Sequence, residues 1–150
     1  MKQLILILAL LFSAFSLSAK DIPESQVPAK VKEYLHGKYP GATNAEWEYK
    51  SKKGYYKVEF KVDGREVELE IYENGSLKEL EEDLAIRDIP AFAIDHVNKN
   101  YPDGIILGGK KKIENGITMY DVGVKYQSSK GKSLHTNIYF DTQGKVIKRR

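Results

Sequence analysis

The residue types that most often carry chemistry are scarce in this chain of 150 residues. It has three histidines, His36, His96 and His135, and no cysteine. No two of the histidines have the spacing of metal ligands. His96 stands at the position that Tyr34 occupies in an internal repeat, so an amphipathic residue at a helix edge explains it better than a ligand does. We therefore predict no metal site and no cofactor.

The glycine-rich segment Gly104–Lys111 comes close to a phosphate-binding loop. However, Lys111 stands where that motif requires Ser or Thr, and the segment reads as a strand with no helix after it to present its N-terminus to phosphate. The sequence also lacks the motif of a serine-nucleophile elbow. Carboxylates are abundant, but they alternate with apolar residues as the solvated side of a strand does. We therefore expect no catalytic residues and a protein that is not an enzyme.

The remaining candidates for function are tyrosines and charged residues on one side of the predicted strands. Tyrosine gives contact area at low entropic cost while its hydroxyl stays in water, so this mixture is common where proteins recognise one another. The alternative is a solvated outer face that keeps the sheet soluble. The predicted partner-binding residues are Tyr55, Lys57, Glu59, Lys61, Glu68, Tyr72, Lys125, His135 and Tyr139.

The elements that must position these residues occur twice. The Val-Pro-Ala at 27–29 recurs as Ile-Pro-Ala at 89–91, an offset of 62 residues, and the Tyr-Pro at 39–40 recurs at 101–102 with the same offset. Proline suits the first turn of a helix, and a second proline ends it at the residue before. Apolar residues recur four apart within each segment. The pattern predicts helices at about 27–38 and 89–100.

After each helix the hydrophobic period changes from 3.6 to 2, which indicates strands. Asp63-Gly64 supplies the residues of a tight hairpin turn, and pairing outward from it sets Phe60 opposite Val67 and Glu59 opposite Glu68. In the first unit, Ser76–Leu80 is predicted as a short fourth strand, with Glu79–Arg87 as an acidic connector. The predicted fold class is α+β: a tandem repeat of a helix plus a four-stranded antiparallel meander, forming one curved sheet of about eight strands with two helices on one face.

The first residues indicate export. Met1-Lys2 gives a positive start, Leu4–Phe15 is apolar apart from Ser13, and small residues follow, which is typical of a secretory signal peptide cleaved near Ala19. The alternative is an N-terminal membrane anchor, for which the apolar run is shorter than the ~20 residues that a bilayer requires. We expect a signal peptide at 1–19 and a single domain at 20–150, made of repeats 27–83 and 89–149. The location would be periplasmic or secreted, with no stable membrane span after cleavage.

Charge divides unequally between the repeats. Residues 20–83 carry 11 Lys and Arg against 15 Asp and Glu, a net charge of −4, whereas residues 84–150 carry 12 against 6, a net charge of +6. The asymmetry could attract the packed repeats to each other or could create a dipolar binding surface, and the sequence leaves both alternatives open. The basic end Lys145–Arg150 belongs to no recognised nucleic-acid-binding motif, so we predict no nucleic-acid partner.

Four short stretches resemble the PepSY-like family of bacterial exported proteins, a β-lactamase-inhibitor-like family. They are Val-Pro-Ala at 27–29, Tyr-Pro-Gly at 39–41, Tyr-Lys-Val-Glu-Phe at 56–60 and Ile-Tyr-Glu-Asn-Gly at 71–75. The resemblance covers residues 27–148 and implies a tandem helix-and-meander fold whose exposed sheet face holds a partner, as in the β-lactamase inhibitor proteins. No functional residue of those inhibitors maps onto a position here, and this chain departs from them in having no cysteine.

The leading hypothesis is therefore a non-enzymatic exported module that binds an unknown protein or peptide of the cell envelope through the exposed sheet face, in the manner of a protein or peptidase inhibitor. The alternative is a small-ligand carrier or sensor with a cavity between helices and sheet. An open, concave sheet face over a solid core favours the first hypothesis, and an enclosed pocket favours the second.

Overall fold

The structure, a computed structural model, describes residues 20–147. The predicted signal peptide lies outside the described residues. The elements follow in the order β1 (Lys20–Ile22), α1 (Ala29–Lys38), β2 (Thr43–Lys50), β3 (Tyr55–Val62), β4 (Arg65–Tyr72), β5 (Leu77–Leu84), α2 (Ala91–Asn100), β6 (Ile105–Glu114), β7 (Ile117–Gln127), β8 (Ser133–Asp141) and β9 (Val146–Ile147). Across this range, no helix has the length and apolar character needed to cross a membrane.

The strands form one antiparallel sheet in which each strand pairs with the next along the chain. The predicted fold class is confirmed: a helix and four strands occur twice, and both meanders join in this sheet. Within residues 20–147 the sheet has nine strands, because β1 precedes the first helix and sets Ile22 opposite Trp47 of β2. A strand of three residues is too short to show an alternation in sequence.

The helices begin two residues later than predicted. Pro28 and Pro90 are the N-caps, with extended ψ angles of 146° and 138°. Proline therefore stands just outside each helix rather than in its first turn. The C-terminal ends agree with the prediction, and there the N–H of Tyr39 donates to the carbonyl of Leu35 at 2.7 Å.

The hairpin between β3 and β4 has the predicted register. Asp63 and Gly64 have φ angles of 49° and 77°, the positive values that a two-residue turn of this kind requires. Phe60 consequently lies opposite Val67. Since a slip of one residue would move every side chain to the other face, the turn and the apolar row together fix which residues point away from the helices.

The segment Glu79–Arg87, predicted as a connector, is instead mostly strand. Strand β5 continues to Leu84 and pairs with β6 from Glu79 onward, so it joins the two repeats edge to edge. Three pairs of opposite charge face each other across this seam: Glu81 with Lys112, Glu82 with Lys111, and Asp83 with Lys110. Opposite charges on directly opposed residues stabilise adjacent strands. Part of the charge asymmetry between the repeats therefore attracts one repeat to the other.

Both helices pack on the same face of the sheet. Val31 and Leu35 of α1 are fully buried against the first meander, and Ala93 and Val97 of α2 are buried against the second. Each helix contributes one apolar stripe four residues apart, as the sequence predicts. The opposite face of the sheet, here called the outer face, carries no described helix.

Candidate binding face

The outer face carries the nine predicted partner-binding residues, because directly opposed residues of neighbouring strands project to the same side. In the first repeat, Tyr55 lies opposite Tyr72 and Glu59 opposite Glu68. In the second, Lys125 lies opposite His135. The alternation of the sequence thus identifies the correct side of the sheet, and the role of these residues in binding stays a prediction.

Tyr55 lies on this face but is only 4% exposed. The Nζ atom of Lys78 lies 4.5 Å from the centroid of its ring, a cation–π contact, and Lys78 also pairs with Glu70 and, at 2.5 Å, with Glu79. Burial, together with a hydrogen bond to Glu70, raises the pKa of the Tyr55 hydroxyl above its ordinary value. Tyr55 is therefore covered by Lys78 instead of being displayed, and its role in binding stays a prediction.

Lys57 holds two carboxylates at the centre of the first repeat. Its Nζ atom lies 2.6 Å from Oε1 of Glu59 and 3.1 Å from Oε2 of Glu68. Partial burial of Lys57 opposes its charged form, but the two carboxylates outweigh that effect and raise its pKa above the ordinary value. Lys57 therefore stays charged and offsets part of the repulsion between Glu59 and Glu68, which lie directly opposite each other.

A cleft of about 720 Å³, the main cleft, opens on the outer face across β2–β6 and makes this part of the face concave. Its charged lining consists of the carboxylates of Glu46, Glu59, Glu66, Glu68, Glu81 and Asp83 and the amines of Lys61 and Lys110. Six negative charges against two positive charges give this lining a net charge of −4. Lys57 and Lys112 do not line the cleft but pair with Glu59, Glu68 and Glu81, and counting them reduces the net charge to −2. The potential in the main cleft is therefore moderately negative, and its concave shape concentrates that field.

A second cleft, of about 440 Å³, adjoins the main cleft, since Asp83 and Lys110 line both. Part of its lining is bare backbone at Gly108 and Gly123. The carboxylate of Asp121, a residue that is 8% exposed, also lines it and accepts a hydrogen bond from Nδ2 of Asn137 at 2.8 Å. The two clefts together give the outer face a continuous depression across the seam between the repeats.

Glu81 is the ionic centre of that seam. Its carboxylate lies 2.7 Å from Nζ of Lys112 and 3.7 Å from Nζ of Lys110. Burial opposes ionisation of Glu81, but the two lysines outweigh it, and the pKa of Glu81 lies below its ordinary value. Glu81 is consequently ionised at neutral pH, and its ion pairs with Lys110 and Lys112 link β5 to β6.

Several residues that line the two clefts were not among those predicted to bind a partner. Glu46 alternates with the buried Trp47, so its outward direction could have been read from the pattern. Glu81 and Asp83 were assigned to a connector, although Leu80 and Leu84 show that the apolar pattern of the strand continues. The pairing of these carboxylates with the lysines of β6 is a tertiary fact that no local pattern contains.

Five of the nine predicted residues line none of the described clefts: Tyr55, Tyr72, Lys125, His135 and Tyr139. Lys125 and His135 are exposed at the far end of the second repeat and line none of the clefts described for this face. Tyr139 lies nearer, directly opposite Asp121. The structure therefore brings together Lys57, Glu59 and Glu68, and it separates them from the predicted residues of β7 and β8.

The histidines of the helices make other contacts. Nε2 of His36 lies 3.0 Å from Oε1 of Glu24, and the ring of His96 packs edge-on against Phe140 with centroids 5.3 Å apart. Within residues 20–147, no group of three or more His, Asp or Glu side chains is arranged to hold a metal ion.

The clefts do not lie between helices and sheet. The two described above open on the outer face, and a third, of about 310 Å³, lies at the edge formed by β1–β3. Their linings include no residue of α1 or α2. Between helices and sheet, the described residues instead form the two buried apolar clusters.

A family model described as "putative beta-lactamase-inhibitor-like, PepSY-like" matches residues 15–79 and again residues 54–148. The chain belongs to this family. The first match covers α1 and most of the first meander, and the second runs from β3 through the whole second repeat, so the two overlap at 54–79. Among curated proteins, none matches this chain.

Solved structures of Bacteroides proteins share the fold. A BLIP-like protein from Bacteroides fragilis has a TM-score of 0.60 at 22% identity, with 86% of each chain covered. A protein from Bacteroides eggerthii, described as "putative periplasmic", has a TM-score of 0.60 at 17% identity, covering 83% of this chain and 88% of that one. A DUF2874 family protein from Bacteroides uniformis has a TM-score of 0.59 at 18% identity, covering 81% and 86%. At these identities the likeness shows the fold.

Proposed function

We propose that this chain is a non-enzymatic exported module that holds a protein partner on its outer face, as an inhibitor does. The observation that carries the proposal is the concave outer face: the main cleft of about 720 Å³ lies on the side of the sheet that no described helix covers. A large, open, polar depression suits a protein surface better than a small molecule, which prefers an enclosed apolar pocket.

The family supports the same proposal, since its description is inhibitor-like and a BLIP-like protein shares the fold. Export is supported by the sequence of residues 1–19 and by the periplasmic description of a structural neighbour. The partner would then be a protein or peptide of the cell envelope or of the medium. A small-ligand carrier finds no support in the described clefts, because none of them lies between helix and sheet.

The test blocks the outer face without changing its charge. Gly123 lines the second cleft, and a side chain added there would have room, so Gly123→Trp places a bulky ring on the outer face. Gly37→Trp is the matched control, because Gly37 is exposed on α1 and its Cβ position also has open space. The full-length chain is expressed with export left to the host, immobilised, and incubated with envelope extract.

We expect the wild type and Gly37→Trp to retain the same envelope protein, and Gly123→Trp to retain much less of it. Quantitative mass spectrometry of the bound fraction measures the difference. Equal recovery on all three proteins would refute the outer face as the binding surface.

A further inference from the structure

Four glutamates form a row across adjacent strands of the outer face, here called the glutamate row: Glu46, Glu59, Glu68 and Glu81. Each lies directly opposite the next, and like charges in such positions destabilise a sheet. The fold does not require the row, because the apolar side of the strands and the hairpin turn already fix the register. The chain therefore keeps a repulsive arrangement on the face that it leaves open.

The protein neutralises this row only in part. Lys57 forms ion pairs with Glu59 and Glu68, at 2.6 and 3.1 Å, and lysines of β6 form ion pairs with Glu81. Glu46, at the free end of the row, is exposed and forms no ion pair with the described residues. The main cleft, into which the row projects, keeps a net charge of −2 when Lys57 and Lys112 are counted with the residues that line it.

Two strand glycines, Gly108 and Gly123, line the second cleft. A Cβ at Gly108 would have no neighbour within 4 Å, and one at Gly123 would meet only atoms at 3.9 Å or beyond. Neither has a positive φ and neither Cβ would be crowded, but the pairing of β6 with β7 shifts register between Ile106 and Gly108, so a β-bulge lies beside both glycines. Glycine is less favourable than alanine within a strand, and it marks either a bulge or a place where another backbone approaches closely. Beside these glycines lies the nearly buried carboxylate of Asp121.

We infer that the outer face takes a cationic polypeptide segment, an extended stretch with lysine or arginine at alternate positions, laid across β2–β5 over the glutamate row. This inference rests on the proposed function and names the chemistry of the partner. The negative field of the main cleft attracts the cationic side chains. The bare backbone of the second cleft lets the partner's main chain continue close to the sheet.

The dimensions agree with this arrangement. Neighbouring strands lie about 4.8 Å apart, so the four carboxylates of the row extend over about 14 Å. Alternate side chains of an extended peptide are about 6.7 Å apart on one side, so three of them extend over about 13 Å. A peptide with lysine at positions i, i+2 and i+4 therefore matches the length of the row.

The probe is a fluorescein-labelled peptide in which lysine and threonine alternate, with a glutamate–threonine peptide as the negative probe. Anisotropy titrations at about 20 mM and 300 mM salt compare the wild type with Glu46→Gln/Glu59→Gln/Glu68→Gln. The matched control removes three carboxylates that lie away from the outer face, Glu33→Gln/Asp95→Asn/Asp103→Asn. Glutamine relieves the repulsion within the row but also removes both carboxylate partners of Lys57, so circular dichroism and a urea titration check that the first variant is folded before binding is compared.

We expect the wild type to bind the lysine peptide and not the glutamate peptide, with affinity falling as salt screens the charges. The row variant should bind roughly tenfold more weakly, and the control should change less than about twofold. An equal loss in both variants, binding that salt does not affect, or no binding of the lysine peptide by the wild type would overturn the inference. Self-association of the wild type at low salt, displaced by the lysine peptide, would also overturn it, because the occupant would then be a second copy.

The two proposals can fail separately. If the lysine peptide does not bind but Gly123→Trp still abolishes capture of an envelope protein, the outer face binds a partner that is not cationic. If Gly123→Trp and the wild type capture the same proteins equally, the proposed function itself fails.

Discussion

Replacing Glu46 by lysine should stabilise the fold although it alters the proposed binding face. Glu46 is exposed, lacks an ion pair among the described residues, and lies directly opposite Glu59. Glu46→Lys removes one like-charge pair and creates one pair of opposite charge on adjacent strands. Cross-strand charge pairs contribute roughly 0.2–1 kcal/mol each, so at this exposed site we expect a gain of about 0.5–1 kcal/mol in the free energy of unfolding. For a chain of this size the melting temperature should rise by about 2–5 °C.

The assay is a urea titration followed by the emission of Trp47, the single tryptophan of the chain, which is only 3% exposed and should report on the opening of the core. The urea midpoint should rise while the slope of the transition stays unchanged. Glu33→Lys on α1 makes the same change in net charge away from the sheet and serves as the control.

The gain should be clear at about 20 mM salt and small at 1 M, where the Debye length is about 3 Å. The reasoning is refuted if Glu46→Lys is no more stable than Glu33→Lys at low salt, or if its advantage persists unchanged at 1 M. The same variant should bind the lysine peptide more weakly than the wild type, so that stability and binding change in opposite directions.

Three further changes test the core, the seam and a turn. Leu35→Ala, at a fully buried position of α1, should lower the free energy of unfolding by about 3–4 kcal/mol in a urea titration. Glu81→Gln should cost about 0.5–1 kcal/mol at neutral pH. Because the folded pKa of Glu81 is depressed below 4.5, this difference from the wild type should be present above that pH and disappear as the pH falls through the folded pKa. Gly144→Ala should destabilise more than Gly54→Ala in thermal melts, since both glycines have positive φ but only at Gly144 would the Cβ lie 2.9 Å from Phe92.

Each of these expectations has a result that contradicts it. A loss below about 1 kcal/mol for Leu35→Ala would show that the core under α1 is loosely packed. A Glu81→Gln difference that grows in acid would mean that the carboxylate is not stabilised in its charged form. Equal effects at Gly144 and Gly54 would mean that only backbone strain, and no contact with Phe92, limits substitution in the turn.

The sequence by itself determined the local structure. The spacing of the prolines and of the apolar residues identified both helices, with an error of two residues at their starts. The alternation of β3 and β4 and the Asp63-Gly64 turn fixed the hairpin register and therefore the side of the sheet to which the charged residues point. These features follow from the periods of helix and strand and from turn chemistry, which act over a few neighbouring residues.

Only the tertiary structure decided what the outer face can do. The glutamate row exists because four strands meet in one particular register, and the extension of β5 against the lysines of β6 depends on contacts about 30 residues apart in sequence, such as Glu81 with Lys112. Tyr55 is covered because Lys78 reaches over its ring from another strand. None of these features has a period that the sequence could display, since each depends on which strands become neighbours.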